Sequence, residues 1–204
     1  MRSRAVLLIV LMMGMSVSSI AMADSTISSS TTWSGNVVLS GNVTVDASTT
    51  LVIESGTVVD AQSYWLQIDG TLEASDAQFM TTETSTSPGS TGAGLWGGIK
   101  ISSGGSAVLS NVSISGAESA LEVHGDATIH ESISIMNSYI GFDIGASGIV
   151  HAENVTMSTI DIQSVVNHGA LTIDTGLITN TATWILSTNY LTIDDVSFFD
   201  KGVA

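Results

Sequence analysis

Residues 107–135 read AVLSNVSISGAESALEVHGDATIHESISI, and this stretch shows the pattern that runs through most of the chain. Hydrophobic residues alternate with serine, threonine or charged residues in short runs. Such a period of two residues is typical of a β-strand with one buried face. The runs AVL and VSI return after about 20 residues as ATI and ISI, which indicates a repeat.

Each repeat contains three series of short runs, of which the third comes first along the chain, then the second, then the first. In the first, a small or polar residue precedes an alternating triplet; these residues are Asn42, Asn111, Ser132, Asn154, Asp195 and, as a looser copy, Gly176. The second series comprises AVL at 107–109, ATI at 127–129, GIV at 148–150, LTI at 171–173 and LTI at 191–193. The third comprises IKI at 99–101, LEV at 121–123, FDI at 142–144 and VVN at 165–167.

Each repeat of about 20–23 residues therefore predicts three short strands. One such unit cannot bury its apolar face alone. Stacking units at about 4.8 Å gives a continuous apolar interior and pairs the backbone of each unit with its neighbours. The residue before the triplet turns a corner, where Asn, Asp, Ser and Gly tolerate unusual backbone angles. We expect an all-β solenoid of about seven coils.

The N-terminal part follows the same pattern, with one interruption. Strand-like segments occupy residues 33–59 and 66–79, but the step from Leu66 to Ile99 is about 11 residues too long for the repeat. The surplus lies in the low-complexity stretch at 81–94, TTETSTSPGSTGAG. We expect an exposed loop that leaves the coil there and returns at Trp96.

Residues 1–23 have the features of a signal peptide. Arg2 and Arg4 precede an apolar stretch, and Ala21-Met22-Ala23 offers a small-x-small cleavage site. An uncleaved membrane anchor is the alternative, although the apolar stretch is short for one. The expected division is a signal peptide at 1–23 and a secreted or cell-surface β-helix at 24–204, without a transmembrane segment after cleavage.

Charge and composition exclude several classes of function. The chain has 4 basic and 19 acidic residues and a net charge of -15. Removal of residues 1–23 would leave Lys100 and Lys201 as the only lysines or arginines and a net charge of about -17, which opposes nucleic-acid binding. The absence of cysteine excludes disulfides and thiolate chemistry. No phosphate-binding loop or Cys/His motif is present, so we expect no cofactor and no metal.

The run at 33–59, the pattern L-x-I-x-G-x-L at 66–72 and WGGIKI at 96–101 together give the chain a resemblance to a known group of proteins. It resembles the secreted right-handed parallel β-helix proteins of microbial cell surfaces, which have the pectate-lyase-like fold. The resemblance covers nearly all of the chain after residue 23 and implies the fold. The group includes polysaccharide lyases, hydrolases and adhesins, so the resemblance does not choose among these functions.

The known enzymes of this group provide two comparisons. The lyases typically use Arg or Lys as the base, but the sequence places no carboxylate cluster beside Lys100 or Lys201. The polygalacturonase-like hydrolases use several aspartates and a His-Gly motif. Asp194-Asp195 and His168-Gly169 resemble these elements in the reverse order, and the required Arg-x-Lys motif is absent. No catalytic residue is assigned from the sequence.

One surface and three sequons remain as possible sites. His130, His151, Asp174 and Asp194 recur shortly before the corner, and we expect them to form a surface stripe beside Glu131 and Glu153. It would bind a divalent cation or a sugar, or simply be a solvated face. Asn42, Asn111 and Asn154 each begin an N-x-[ST] sequon, which predicts either glycosylation or a structural corner.

The sequence favours a non-catalytic β-helix with a structural, adhesive or glycan-binding role, whose partner is a polysaccharide or another surface protein. The alternative is a carbohydrate-active enzyme, a lyase or hydrolase, using His130, His151, Asp174 and Asp194. The run VSFFDKGVA follows directly on the last predicted strand. We expect this coil either to continue into a longer protein or to mediate self-association, since an open coil exposes strand edges.

Overall fold

The computed structural model describes residues 24–85 and 90–199. The predicted signal peptide, Pro88 and Lys201 lie outside these residues. The described chain is all-β, and its strands are β1 (Ser25–Ile27), β2 (Thr31–Trp33), β3 (Asn36–Val38), β4 (Val43–Val45), β5 (Thr50–Ile53), β6 (Val58–Asp60), β7 (Trp65–Ile68), β8 (Thr71–Ser75), β9 (Gln78–Met80), β10 (Gly98–Ile101), β11 (Ser106–Ser115), β12 (Ser119–Val123), β13 (Asp126–Ile144), β14 (Ile149–Asn167), β15 (Ala170–Thr181), β16 (Ile185–Ser187) and β17 (Tyr190–Phe199).

Every strand pairing among the described residues is parallel, and each strand pairs with the equivalent strand one coil away. What we call the first sheet contains β1, β4, β7, β10, β12, the end of β13, the end of β14 and β16. The other two sheets are built in the same way from the remaining segments. This arrangement confirms the predicted all-β parallel β-helix.

The helix has eight coils in the described residues, one more than the predicted seven or so. The additional strands are β1 and β2. They lie in a stretch rich in serine and threonine that ends at Trp33. The long step between Leu66 and Ile99 is confirmed as one coil, because these two residues are direct partners in the first sheet.

The core consists of columns that run along the axis of the β-helix. In each column, apolar side chains from successive coils stack on one another. In the first sheet, Ile99 pairs with Leu121, which pairs with Phe142, and all three side chains are fully buried. Burying a side chain of this size contributes roughly 1.5–3 kcal/mol. Because the columns run through the coils, each coil provides the apolar surface that its neighbour needs.

Three predicted registers are wrong. The triplet at 43–45, which follows Asn42, pairs with 66–68 and so belongs to the column of IKI in the first sheet, not to the series of Asn111. The other two registers are wrong by one or two residues. Ala127 pairs with Val150, so the triplet of that coil is Val150-His151-Ala152 and not GIV at 148–150. Likewise Asn154 pairs with Thr175, and Gly176 lies in the column of apolar residues after the corner. The error at 148–150 arises because Val150 comes six residues after Ile144, whereas its partner Ala127 comes only four residues after Val123.

The coil has two columns of left-handed backbone, of which the sequence indicated only one. At the predicted corner, φ is +47° at Asp76, +52° at Asn111 and +59° at Glu131, whereas Ser132 is not among the positive-φ residues. The second column contains Gly116, Asn137, Thr159 and Asn180, with φ between 51° and 81°. These residues follow the third strand of their coils and turn the chain back toward the first sheet.

The insertion at 81–94 does more than project from the coil. The segment that leads from the insertion back to β10, residues 90–97, is called here the return arm. The Gly94 N–H donates to the Ala117 carbonyl at 3.1 Å and the Leu95 N–H to the Gly116 carbonyl at 2.8 Å. The Thr91 hydroxyl donates to Asp161, 70 residues away. The arm therefore crosses the corners of several later coils.

The eighth coil is the least buried of the coils. Strands β16 and β17 contain no fully buried residue, and the Phe199 side chain is 62% exposed. Continuation or self-association through this coil remains a prediction. Among the described residues, no helix is long and apolar enough to cross a membrane.

Candidate functional site

The predicted surface stripe is only partly a single column. The register places Asp174 beside Asp194 on neighbouring coils, and His130 contacts Glu153 in the same region. His151 instead pairs with Thr128 and Thr172, in a column two positions earlier. The difference follows from the Val150 register described above.

The contacts within this stripe are exposed histidine–carboxylate pairs. His130 Nδ1 lies 2.9 Å from Glu153 Oε1, and His151 Nε2 lies 3.8 Å from Asp174 Oδ2. The hydrogen bond from His130, helped by the Glu131 N–H, lowers the pKa of Glu153. These side chains are about half exposed, where such pairs contribute little to stability. In the described part of the chain, no three His, Asp or Glu side chains converge as a metal site.

The three sequon asparagines have different environments. Asn42 is half-buried and its side-chain oxygen accepts from the Trp65 N–H at 3.3 Å. Asn111 donates its side-chain amide to Asp76 at 2.7 Å. Asn154 is exposed on β14. Asn42 and Asn111 therefore have structural roles at corners, and glycosylation of the three remains a prediction.

The outer face of the first sheet contains a polar column that the sequence-based reasoning missed. Lys100 pairs with Glu122, and Glu122 pairs with Asp143 on the next coil. The sequence places no carboxylate cluster beside Lys100, but the structure does. The signal was present in the triplets IKI, LEV and FDI, whose middle residues must point outward together because strand side chains alternate.

Glu122 is the centre of this column. Its Oε2 lies 2.8 Å from Lys100 Nζ, and its Oε1 lies 3.2 Å from His124 Nε2. Both oxygens of Glu122 are thus engaged. Within the described residues, no side chain forms a hydrogen bond with the Asp143 carboxylate, which is half-buried. The column therefore combines an ion pair with a second carboxylate that is free to accept hydrogen bonds.

The two carboxylates have pKa values shifted in opposite directions. Burial opposes ionisation of Glu122, but the hydrogen bond and charge of Lys100, followed by those of His124, outweigh it and lower its pKa. For Asp143, burial and then the repulsion from Glu122 raise the pKa. Neighbouring carboxylates whose pKa values separate in this way are typical of functional sites.

A cleft of about 260 Å³ opens over this column. Besides Lys100, Glu122 and Asp143, its lining includes Gly97, Glu118, Ser119, Tyr139, Ile140 and Ile162. Tyr139 is 38% exposed and Ile162 is 53% exposed, so the cleft offers an aromatic and an aliphatic surface next to charged groups. It is open to solvent on one side, in contrast to a closed cavity.

Two glycines at one end of the cleft allow neighbouring coils to approach each other closely. Gly98 has φ of +86°, and a Cβ there would lie 1.7 Å from the Ser119 carbonyl oxygen. At Gly97, a Cβ would lie 2.9 Å from the Cβ of Trp65. These positions exclude larger residues, which explains the Gly-Gly pair after Trp96.

The fold and this cleft define the chain as a parallel β-helix with a mixed polar and aromatic cleft on its first sheet. No family model, no curated protein and no solved structure matches the chain.

Proposed function

We propose that the protein is a non-catalytic, secreted or surface-attached β-helix that binds a neutral polysaccharide in the cleft of the first sheet. The observation that carries the proposal is the placement of Tyr139 next to the Lys100, Glu122 and Asp143 column in one open cleft. Sugar rings combine an apolar face with hydroxyl groups, and this cleft offers a partner for each.

The polar groups of the cleft suit hydroxyl ligands. The Asp143 carboxylate accepts hydrogen bonds, and charge-assisted bonds of this kind are stronger than neutral ones. Lys100 Nζ has one donor directed at Glu122 and further donors for a ligand oxygen. The half-exposed Tyr139 ring supplies a surface for stacking on a sugar face.

The charge of the cleft favours a neutral polysaccharide over an acidic one. Glu118, Glu122 and Asp143 line it, with Lys100 as the one lysine among the lining residues. A uronate carboxylate would meet this negative group and the net charge of -15 of the whole chain. An open cleft also suits an internal segment of a long chain, whose two ends can extend into solvent.

Binding can be tested by affinity electrophoresis in gels that contain neutral or acidic polysaccharides. The wild-type protein is expected to be retarded by at least one neutral polysaccharide, and Tyr139→Ala and Asp143→Asn are expected to reduce the retardation. Tyr190→Ala is the matched control, because Tyr190 is 62% exposed on β17, outside the cleft. Equal retardation of Tyr139→Ala and wild type would contradict the proposed site.

Glycoside hydrolysis is the second candidate, and the opposite pKa shifts of Glu122 and Asp143 favour it. Asp143, with its raised pKa, would donate a proton to the leaving oxygen, and ionised Glu122 would act as base or nucleophile. Release of reducing ends from a polysaccharide that Asp143→Asn binds but does not cleave would establish catalysis. Retardation without such release supports the non-catalytic proposal.

A further inference from the structure

We propose that the return arm, residues 90–97, positions the Tyr139 ring and so determines which polysaccharides the cleft accepts. The proposal deepens the proposed function and rests on it. The insertion that interrupts the repeat thereby becomes a specificity element of the cleft, in addition to a connection between β9 and β10.

The contact between Gly94 and Tyr139 is the first observation. A Cβ at Gly94 would lie 2.0 Å from Cε2 and 2.5 Å from Cζ of the Tyr139 ring. The backbone of the arm therefore lies against one edge of the ring, and only a residue without a side chain fits. The rest of Tyr139 contributes to the wall of the cleft.

The second observation is that the arm and Tyr139 share an anchor. The Ala117 carbonyl accepts a hydrogen bond from the Gly94 N–H at 3.1 Å and from the Tyr139 N–H at 3.0 Å. The Ala117 carbonyl thus holds the backbones of both Gly94 and Tyr139. It fixes their relative position close to the point where Gly94 contacts the Tyr139 ring.

The third observation is that both ends of the arm are attached to separate coils. The Thr91 hydroxyl donates to Asp161 Oδ2 at 2.5 Å, and the Gly97 N–H donates to the Tyr64 carbonyl at 3.0 Å. Tyr64 precedes β7 in the third coil, whereas Asp161 lies on β14 near the seventh. An arm attached at both ends cannot move away from Tyr139 without breaking these bonds.

A pair of glycine substitutions separates ring position from backbone strain. Gly94 has φ of +71° and Gly92 has φ of +82°, so alanine is strained at both. Among the described residues other than its chain neighbours, none has an atom within 4 Å of a Cβ at Gly92, whereas a Cβ at Gly94 meets the ring. Gly94→Ala is therefore the test variant and Gly92→Ala its matched control.

The first measurement is affinity for the polysaccharide that retards the wild-type protein. Gly94→Ala is expected to weaken binding about tenfold, the scale of one lost aromatic contact of roughly 1.4 kcal/mol. Gly92→Ala is expected to bind as the wild type does. In a Tyr139→Ala background, Gly94→Ala should have no further effect, because its effect acts through the ring.

The second measurement does not depend on any ligand. The chain has three tyrosines, so selectively labelled protein gives few ring signals in an NMR spectrum. The signal assigned by Tyr139→Ala should shift in Gly94→Ala and in Thr91→Val, which removes the hydroxyl that binds Asp161, but not in Gly92→Ala.

The outcomes separate this inference from the proposed function. Unchanged ring signals and unchanged affinity in Gly94→Ala would overturn the positioning role of the arm. Shifted ring signals in a protein that binds no polysaccharide would leave the arm as a positioning element, overturn its role in specificity and contradict the proposed function.

Discussion

Glu122 and Asp143 occupy equivalent positions on neighbouring coils of the first sheet, so two carboxylates point outward one coil spacing apart. Such a pair is unfavourable when both groups are ionised. The ion pair with Lys100 favours the charged form of Glu122, whereas burial and then the charge of Glu122 oppose ionisation of Asp143. The two carboxylates of the cleft therefore differ in how readily they ionise.

The coupling between these carboxylates predicts opposite responses to two substitutions. Glu122→Gln is expected to lower the pKa of Asp143, because it removes the neighbouring charge that raises it. Lys100→Met is expected to raise the pKa of Glu122, because its largest favourable partner is lost. Carboxyl carbon shifts measured by NMR as a function of pH would report both values, and an unchanged Asp143 pKa in Glu122→Gln would contradict the coupling.

The raised pKa of Asp143 also predicts how stability depends on pH. A carboxyl whose pKa is higher in the folded state binds its proton more tightly there, so its contribution favours folding at low pH and is lost as pH rises through the folded pKa. Asp143→Asn is therefore expected to be more stable than wild type at neutral pH. Urea unfolding should show this advantage shrinking as pH falls through the raised pKa of folded Asp143 toward the ordinary pKa of aspartate, with no further change expected below it.

The alternation of buried and exposed residues predicts the cost of core substitutions. Leu109 is fully buried and Val108, its neighbour on β11, is 42% exposed. Leu109→Ala is expected to lower the free energy of unfolding by about 3 kcal/mol, since it leaves a cavity in the apolar column. Val108→Ala, the matched control, should cost less than about 1 kcal/mol in the same urea experiment. Equal costs would contradict the register.

The second corner contains a residue that is poorly suited to its backbone. Thr159 is β-branched and has φ of +56°, in the column that otherwise holds Gly116, Asn137 and Asn180. Asparagine tolerates this conformation better, so Thr159→Asn is expected to raise the free energy of unfolding by about 1 kcal/mol. Thr156→Asn on the same strand should instead be destabilising, because Asn is disfavoured in strands.

The eighth coil should exchange its amide hydrogens faster than the inner coils. Among the described strands, β17 pairs with β15 alone, whereas β13 pairs with a strand of the preceding coil and a strand of the following coil. Hydrogen exchange followed by mass spectrometry should therefore show weaker protection at 190–199 than at 126–135. Equal protection at micromolar concentration, lost on dilution, would indicate that a second copy covers this coil.

The candidate site could be predicted from the sequence only in part. The triplets that contain Lys100, Glu122 and Asp143 were identified from the sequence, and their stacking followed from the repeat. Their outward middle residues form the column at the cleft, whereas no carboxylate lies close to Lys100 along the chain itself. The surface stripe is only partly a single column for a different reason, because the pairing of Ala152 with Ile129 places His151 beside Thr128.

The sequence by itself determined the parallel β-helix, the stacking of apolar columns and the position of the insertion. It could do so because alternation is a local property and each coil repeats it. Only the tertiary structure decided which outward residues meet, since a shift of one or two residues at a corner changes every partner on the next coil. It also decided the path of the return arm to Ala117, Tyr139 and Asp161, because contacts across coils depend on stacking and leave no period in the sequence.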